Sequence, residues 1–229
     1  VLACYQCTET NPATTTPDST SENITTQTKT FDIQRGVNIS HWLSQSKARG
    51  IERAQYFTAA DVQAIAAAGF DHIRIPMDEV QMWDESGNKK TDAFDLLHQA
   101  IKWASENQLK VLVDLHIIRA HHFLDEEPEL FTKPEAQVYF VELWQQLSKE
   151  LQDYSTDQVA YELLNEAVAK DPADWNKVFR MAYDAVRAVE PERVIFIGSN
   201  RWQQVQTFPD LEVPENDSNI VLSFHFYNP

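Results

Sequence analysis

Residues 110–116 read Lys-Val-Leu-Val-Asp-Leu-His, a nearly continuous apolar run that ends on a polar side chain. A strand with one wet face alternates apolar and polar residues. A run like this one is buried on both faces, as in a parallel sheet covered by helices. On its N-terminal side, Phe94 to Asn107 puts Leu97, Ile101 and Ala104 on one face at helical spacing. On its C-terminal side, Pro134 opens a second helix that continues through Phe140, Leu143, Leu147 and Leu151. Proline is favoured at that first position, where its missing N–H has no intrahelical partner to lose.

The same alternation extends outward. Strands are expected at Phe31 to Asn38, Asp71 to Pro76, Val159 to Asn165, Arg193 to Gly198 and Asn219 to His225. Thr58 and Asp61 are spaced to cap an alanine-rich helix with Val62, Ile65, Ala66 and Gly69 along it, and another helix is expected from about Ala173 to Val189. Strands separated by helices imply βαβ units and a parallel sheet. A doubly wound sheet carries a glycine-rich phosphate turn after its first strand. Here that position reads Asn38-Ile39-Ser40-His41-Trp42. A (β/α)8 TIM barrel builds its site from polar residues at the C-terminal strand ends. Asn38, Arg74, His116, Asn165, Glu166, Asn200 and His225 fall at such ends, so the α/β barrel is the expected fold.

The whole chain bounds the function. Its 229 residues can bury a full core, and no apolar run reaches the ~18 residues of a membrane span. The formal charge of −16 argues against nucleic acid or an anionic membrane as partner, because phosphates are held by basic patches. The two cysteines, Cys4 and Cys7, precede the expected fold, which therefore uses no disulfide. Val1-Leu2-Ala3-Cys4 resembles the end of a bacterial lipoprotein signal peptide, and Thr8 to Lys29 is Thr-rich with Pro12 and Pro17. Residues 1–30 are thus expected to form a flexible tether, lipid-anchored at Cys4 on an extracellular or bacterial cell surface, or else a disordered leader. Residues 31–229 are expected to form the catalytic domain.

In a barrel the strand ends meet at one mouth. Glu166 brings a carboxyl there, Asn165 an amide, His116 and His225 imidazoles, Arg74 a guanidinium and Tyr227 a phenol. Trp42, Trp83 and Trp202 lie near the rim, whereas Trp103, Trp144 and Trp175 fall inside helical patterns and read as core. No metal-ligand spacing or cofactor motif occurs, and His121 and His122 read as loop residues. The acidic run Asp125-Glu126-Glu127 with Glu129 reads as solvated surface. Aromatic platforms beside hydrogen-bonding groups suit a sugar, which has apolar ring faces and hydroxyl edges. Glu166 follows the apolar run Leu163-Leu164, so partial desolvation is expected to raise its pKa, as a general acid requires.

Six stretches, GVNISHW, GFDHIRIPMDE, VLVDLH, AYELLNE, VIFIGSN and FHFYNP, resemble glycoside hydrolase family 5 in order, from about Gly36 to Pro229. The resemblance implies a retaining endo-β-glycosidase acting on β-1,4-glucan without a cofactor. It implies Glu166 as acid/base, Asn165 as the binder of the sugar 2-hydroxyl, and Arg74 as the support of the catalytic carboxylates. It implies His116 and His225 as subsite histidines and Tyr227 as the phenol that tunes the nucleophile. Trp42 and Trp202 become candidates for sugar stacking, and Asn38 and Asn200 for rim contacts. A mannanase, xyloglucanase or β-1,3-glucanase shares the same residues. A non-catalytic glycan-binding module would keep this rim without the nucleophile. A lyase or aldolase would want a Schiff-base lysine or a metal set at a strand end.

Retention needs a second carboxylate roughly 5 Å from the first. The family places it after strand seven, and the sixth expected strand is the last here. The expectation is therefore a barrel truncated after about strand six, inactive alone and completed by a longer parent or by a chain carrying strands seven and eight.

Overall fold

The structure, a computed structural model, describes residues 31–227. Cys4, the Thr-rich stretch and the boundary at residue 30 lie outside the described residues. Strand β1 (Gly36–Asn38) is followed by helices α1 (Gly50–Tyr56) and α2 (Ala59–Ala67), then β2 (His72–Asp78). Next come α3 (Glu79–Met82), α4 (Thr91–Glu106), β3 (Lys110–Ile117), α5 (Glu129–Thr132) and α6 (Pro134–Leu151). The remainder is β4 (Val159–Glu162), α7 (Pro172–Val189), β5 (Ile195–Gly198), a 3-10 turn at Val205–Asp210 and β6 (Ile220–Ser223).

All five strand pairings are parallel, and the spatial order β1-β2-β3-β4-β5-β6 repeats the chain order. A doubly wound sheet reverses direction and places later strands on the far side of the first. An unreversed order is the arc of a barrel, so the expected α/β barrel architecture holds for the described residues. The six strands of the described residues form a half-barrel.

The strands carry two different faces. Ile73, Ile75 and Met77 of β2, Val111, Val113 and Leu115 of β3, and Ile195 and Ile197 of β5 join the main core. That core also holds the buried stripes of α4, α6 and α7, such as Leu97–Ile101–Ala104 and Phe140–Leu143–Trp144–Leu147–Leu151. The alternate residues form a second, smaller cluster of Leu112, Ala160, Val194 and Phe196, closed by Phe31. Phe31 therefore does not extend β1, which is shorter than expected. Its ring stands edge-on to Phe196 at 6.0 Å and plugs the N-terminal end of the sheet. Higher on this inner face the residues turn charged: the register aligns Pro76 with Asp114 and Asp114 with Glu162.

Local signals are realised as chemistry dictates. The Asp61 carboxylate accepts from Thr58 N (2.8 Å) and Thr58 Oγ1 (2.7 Å) and starts α2. Arg193, fully buried, ties β5 to its neighbours. It donates to Val159 O (2.8 Å), Tyr154 O (2.8 Å) and Ser155 O (3.0 Å) and pairs with Glu190 at 2.7 Å. Glu190 also accepts from Ser148 and Tyr161. Removing the guanidinium strands a buried carboxylate, so Arg193→Met is expected to lower stability by about 3–5 kcal/mol, read by urea denaturation.

Candidate active site

Where the inner face opens at the C-terminal strand ends, a cavity of about 330 Å³ is lined by Asn38, Arg74, His116, Asn165, Glu166, His225 and Tyr227, among others. Its base is an ion cluster. Arg74, 4% exposed, pairs with Asp114 Oδ2 at 2.8 Å and with Glu162 Oε2 at 2.7 Å. Its remaining donors reach Asn38 Oδ1 (2.9 Å) and Asn165 Oδ1 (3.0 Å). Asp114 also bonds His116 Nδ1 at 2.7 Å, and His116 Nε2 meets Gln45 Nε2 at 3.1 Å. A carboxylate at Nδ1 fixes the ring orientation and leaves Nε2 to accept from Gln45.

Burial opposes the charge on Arg74, but the two carboxylates overcome it and raise its pKa further. Burial, with repulsion from Glu162, pushes Asp114 up despite Arg74. Burial also acts against Glu162, yet its bond and charge contact with Arg74 hold it down. The cluster thus shares one cation between two buried acids.

Glu166 lies past the end of β4, where Leu163 N still bonds Phe196 O (3.4 Å) and Asn165 N bonds Leu115 O (3.2 Å). Its backbone is left-handed, with φ +50°, a region that residues with a Cβ avoid. Its Oε1 accepts from His225 Nδ1 at 2.7 Å and from Tyr227 OH at 2.8 Å. Burial acts to raise the Glu166 carboxyl, but these two bonds and attraction to His225 and His116 win, and its pKa falls below the ordinary range. The expectation of a raised value is overturned, because desolvation is only one of the forces and the donors outweigh it. Burial and the bond to Glu166 push the Tyr227 phenol up to about 12. Glu166 supplies the one carboxylate among the described residues that line the cavity.

The model of the cellulase family, glycosyl hydrolase family 5, matches residues 25–229. The chain belongs to glycosyl hydrolase family 5. Endoglucanase C of Acetivibrio thermocellus is 33% identical over 201 residues, covering 86% of this chain and 58% of that protein. Cellodextrinase A of Ruminococcus flavefaciens is 29% identical, covering 88% and 60%. The cellulose synthase subunit Z of Clostridioides difficile superposes with a TM-score of 0.72 at 28% identity, covering 86% of this chain and 62% of that one. The family 5 chain therefore spans about 58% of the length of its curated relative.

Several expected positions land elsewhere in this family 5 chain. Trp42 is fully buried, donates to Arg53 O at 2.9 Å and packs 5.1 Å from Phe57, so it is a core residue and offers no ring face to a sugar. Asn200 is 3% exposed, and its amide bonds both Ala169 N (2.8 Å) and Ala169 O (2.9 Å). It braces the loop after Glu166 instead of touching the rim. Trp83 is core as well, bonded to Gln146 at 2.9 Å. Trp202 remains 37% exposed, tied to Phe123 O at 2.6 Å, and Phe123 lines the cavity. Arg74 supports Asp114, Glu162 and Asn165, with no direct bond to Glu166.

Sequence reading missed Asp114, Glu162 and Gln203. The first two carried a signal, since a carboxylate inside an apolar strand must be paired or neutralised, and Asp114 shares the inward phase of His116. Gln203 carried none.

His121 is fully buried, edge-on to Phe131 at 5.7 Å, and neither ring nitrogen finds a partner. Burial pushes its imidazole down to about 4 from the usual 6.5. A base depressed in the fold takes its proton first in the unfolded chain. Its contribution to stability is therefore intact above about pH 6.5 and lost as pH falls towards 4. Stability is expected to drop over that window with up to about 1.4 kcal/mol per pH unit from this ring. His121→Phe is expected to flatten that slope, measured by urea denaturation at several pH values.

Proposed function

We propose that the protein hydrolyses internal β-1,4-glucosidic bonds of a glucan with retention of configuration, with Glu166 as general acid and then general base. The observation that carries this reading is the Glu166 carboxyl held over the cavity by His225 and Tyr227 and seated beside Asn165. With Oε1 occupied by those two donors, proton transfer to the leaving oxygen falls to Oε2. Arg74 holds Asn165 Oδ1, so the Asn165 amide N–H is the group free to donate to the sugar 2-hydroxyl, a bond that strengthens in the oxocarbenium-like transition state. The names of the relatives, two of them an endoglucanase and a cellodextrinase, support a β-glucan substrate over other glycans.

The covalent step needs a second carboxylate roughly 5 Å away. Asp114 and Glu162 are engaged by Arg74, so we assign that role to a residue outside 31–227. Such a neighbour would also raise Glu166 by like-charge repulsion, which reconciles its depressed pKa with acid catalysis.

Two measurements test the reading. The purified 229-residue chain is expected to bind soluble β-glucan without releasing reducing sugar, and measurable turnover would sink the missing-nucleophile argument. In an enzyme completed by the second carboxylate, Glu166→Gln is expected to lower kcat by about 100-fold or more with KM little changed. An unchanged kcat would remove Glu166 from its role and assign the acid/base to another residue.

A further inference from the structure

The loop that leaves β5 passes through three consecutive left-handed residues, Arg201 (φ 56°), Trp202 (φ 62°) and Gln203 (φ 56°). Residues with a Cβ visit this region singly and seldom in a row. Such a run persists only where its surroundings over-determine it. Trp202 N bonds Ala167 O at 3.2 Å, and the side chain of Gln203, 1% exposed, turns inward.

Gln203 Oε1 accepts from Glu166 N at 3.0 Å. Gln203 Nε2 donates to Glu162 Oε1 at 3.1 Å and to Ser223 Oγ at 2.7 Å. The orientation of the amide is unambiguous, because a backbone N–H can only donate and the Glu162 carboxylate can only accept. The Gln203 main-chain oxygen accepts from His225 N at 3.0 Å. One residue therefore holds the backbone of Glu166 and the backbone of the histidine that bonds the Glu166 carboxylate.

The seat for this side chain exists because β5 ends in glycine. A Cβ on Gly198 would lie 2.2 Å from Gln203 Cγ and 2.3 Å from Nε2. Gly198 pairs with Ser223 across β5 and β6, so the space it leaves is where Gln203 meets Ser223. Gly198, Glu162 and Ser223 all lie on the inner face of the sheet, below Glu166.

We propose that Gln203 is a positioning residue for Glu166, locking its left-handed backbone and its His225 partner into one frame, with Gly198 as the vacancy that admits it. This rests on the acid/base reading of Glu166. The bland alternative is that Gln203 merely satisfies Glu162 and Ser223, two buried polar groups. The alternatives differ in what Glu166 feels. Its carboxyl is faced by His225 and Tyr227 from the segment after β6 and by His116 from β3, and those groups set its pKa only while the geometry holds.

The experiment is a carbon-13 carboxyl titration of Glu166 in the full chain, with the resonance assigned by Glu166→Gln. Gln203→Leu and Gly198→Ala are each expected to raise the Glu166 pKa towards that of an ordinary glutamate, as the bonds from His225 and Tyr227 loosen. Ser223→Ala removes a different Gln203 partner and is expected to move it less. In an enzyme that turns over β-glucan, Gln203→Leu is expected to lower kcat by about 100-fold with KM nearly unchanged. Folded Gln203→Leu and Gly198→Ala variants that titrate like the wild type would overturn the proposal, even with lowered melting temperatures. Should neither fold, amide exchange in the wild-type chain decides, and rapid exchange at Glu166 N–H would overturn it. The acid/base reading fails separately, through an active Glu166→Gln, whatever the titration shows.

Discussion

Everything at the mouth of the sheet hangs on the burial of one guanidinium between two carboxylates. Arg74 is 4% exposed and Asp114 and Glu162 are fully buried, so none of the three recovers its hydration from solvent. Such a cluster is weak evidence of net stability, because desolvation offsets most of the Coulomb attraction. What it supplies is position. The planar fork of arginine accepts partners only in fixed directions. Asn38 of β1, Asp114 of β3, Glu162 of β4 and Asn165 just beyond β4 occupy those directions. Through Asp114 the cluster orients His116, and through Glu162 it orients Gln203. Asn38 and Asn165 are thus one bond from Arg74, His116 two, and Glu166 three, through Glu162 and Gln203.

The second constraint is conformational. Glu166, Arg201, Trp202 and Gln203 are all left-handed, and all stand within one loop pair above β4 and β5. Strain of this kind concentrates where a side chain must be held in a direction that relaxed backbone would not give it. Asn200 braces Ala169 from both its donor and its acceptor, which stiffens the loop beyond Glu166. The strain is borne by neighbours that have little freedom themselves: a glycine vacancy, a buried amide and a strand edge.

The fold was legible in the sequence wherever the physics was local and periodic. Pro134–Leu151 is read correctly to both ends because a proline starts it and an apolar stripe runs through it. Asp71–Pro76 and Lys110–His116 are recognised as strands, each two residues or fewer from the observed ends. The architecture required more than periodicity, since open and closed sheets share it, and the missing phosphate turn decided it. The site was less legible. Glu166, Asn165, His116, His225 and Tyr227 gather around one cavity as expected, because strand ends in a barrel converge. Trp42 misled, since an aromatic residue at a strand end and an aromatic residue packed beneath it look alike in one dimension. Gln203 could not be found at all. Its role comes from a left-handed turn with no glycine or asparagine to announce it.

The inner face explains why stability and function are hard to separate here. Along β3 it runs Leu112, Asp114, His116, and along β6 it runs Val221, Ser223, His225. Each strand thus passes from apolar core through a buried polar layer to a cavity wall in two residue steps. A change in the middle layer cannot stay structural. Asp114 touches both the arginine and a cavity histidine, and Ser223 touches the glutamine that holds Glu166. The layer below can be repacked with any apolar side chains of matching volume. The middle layer has no such freedom, because each of its side chains is bonded to another polar group of the same layer or of the wall. The specificity of the half-barrel for one arrangement of Glu166 therefore resides in residues outside the lining of that cavity, such as Asp114, Glu162 and Ser223.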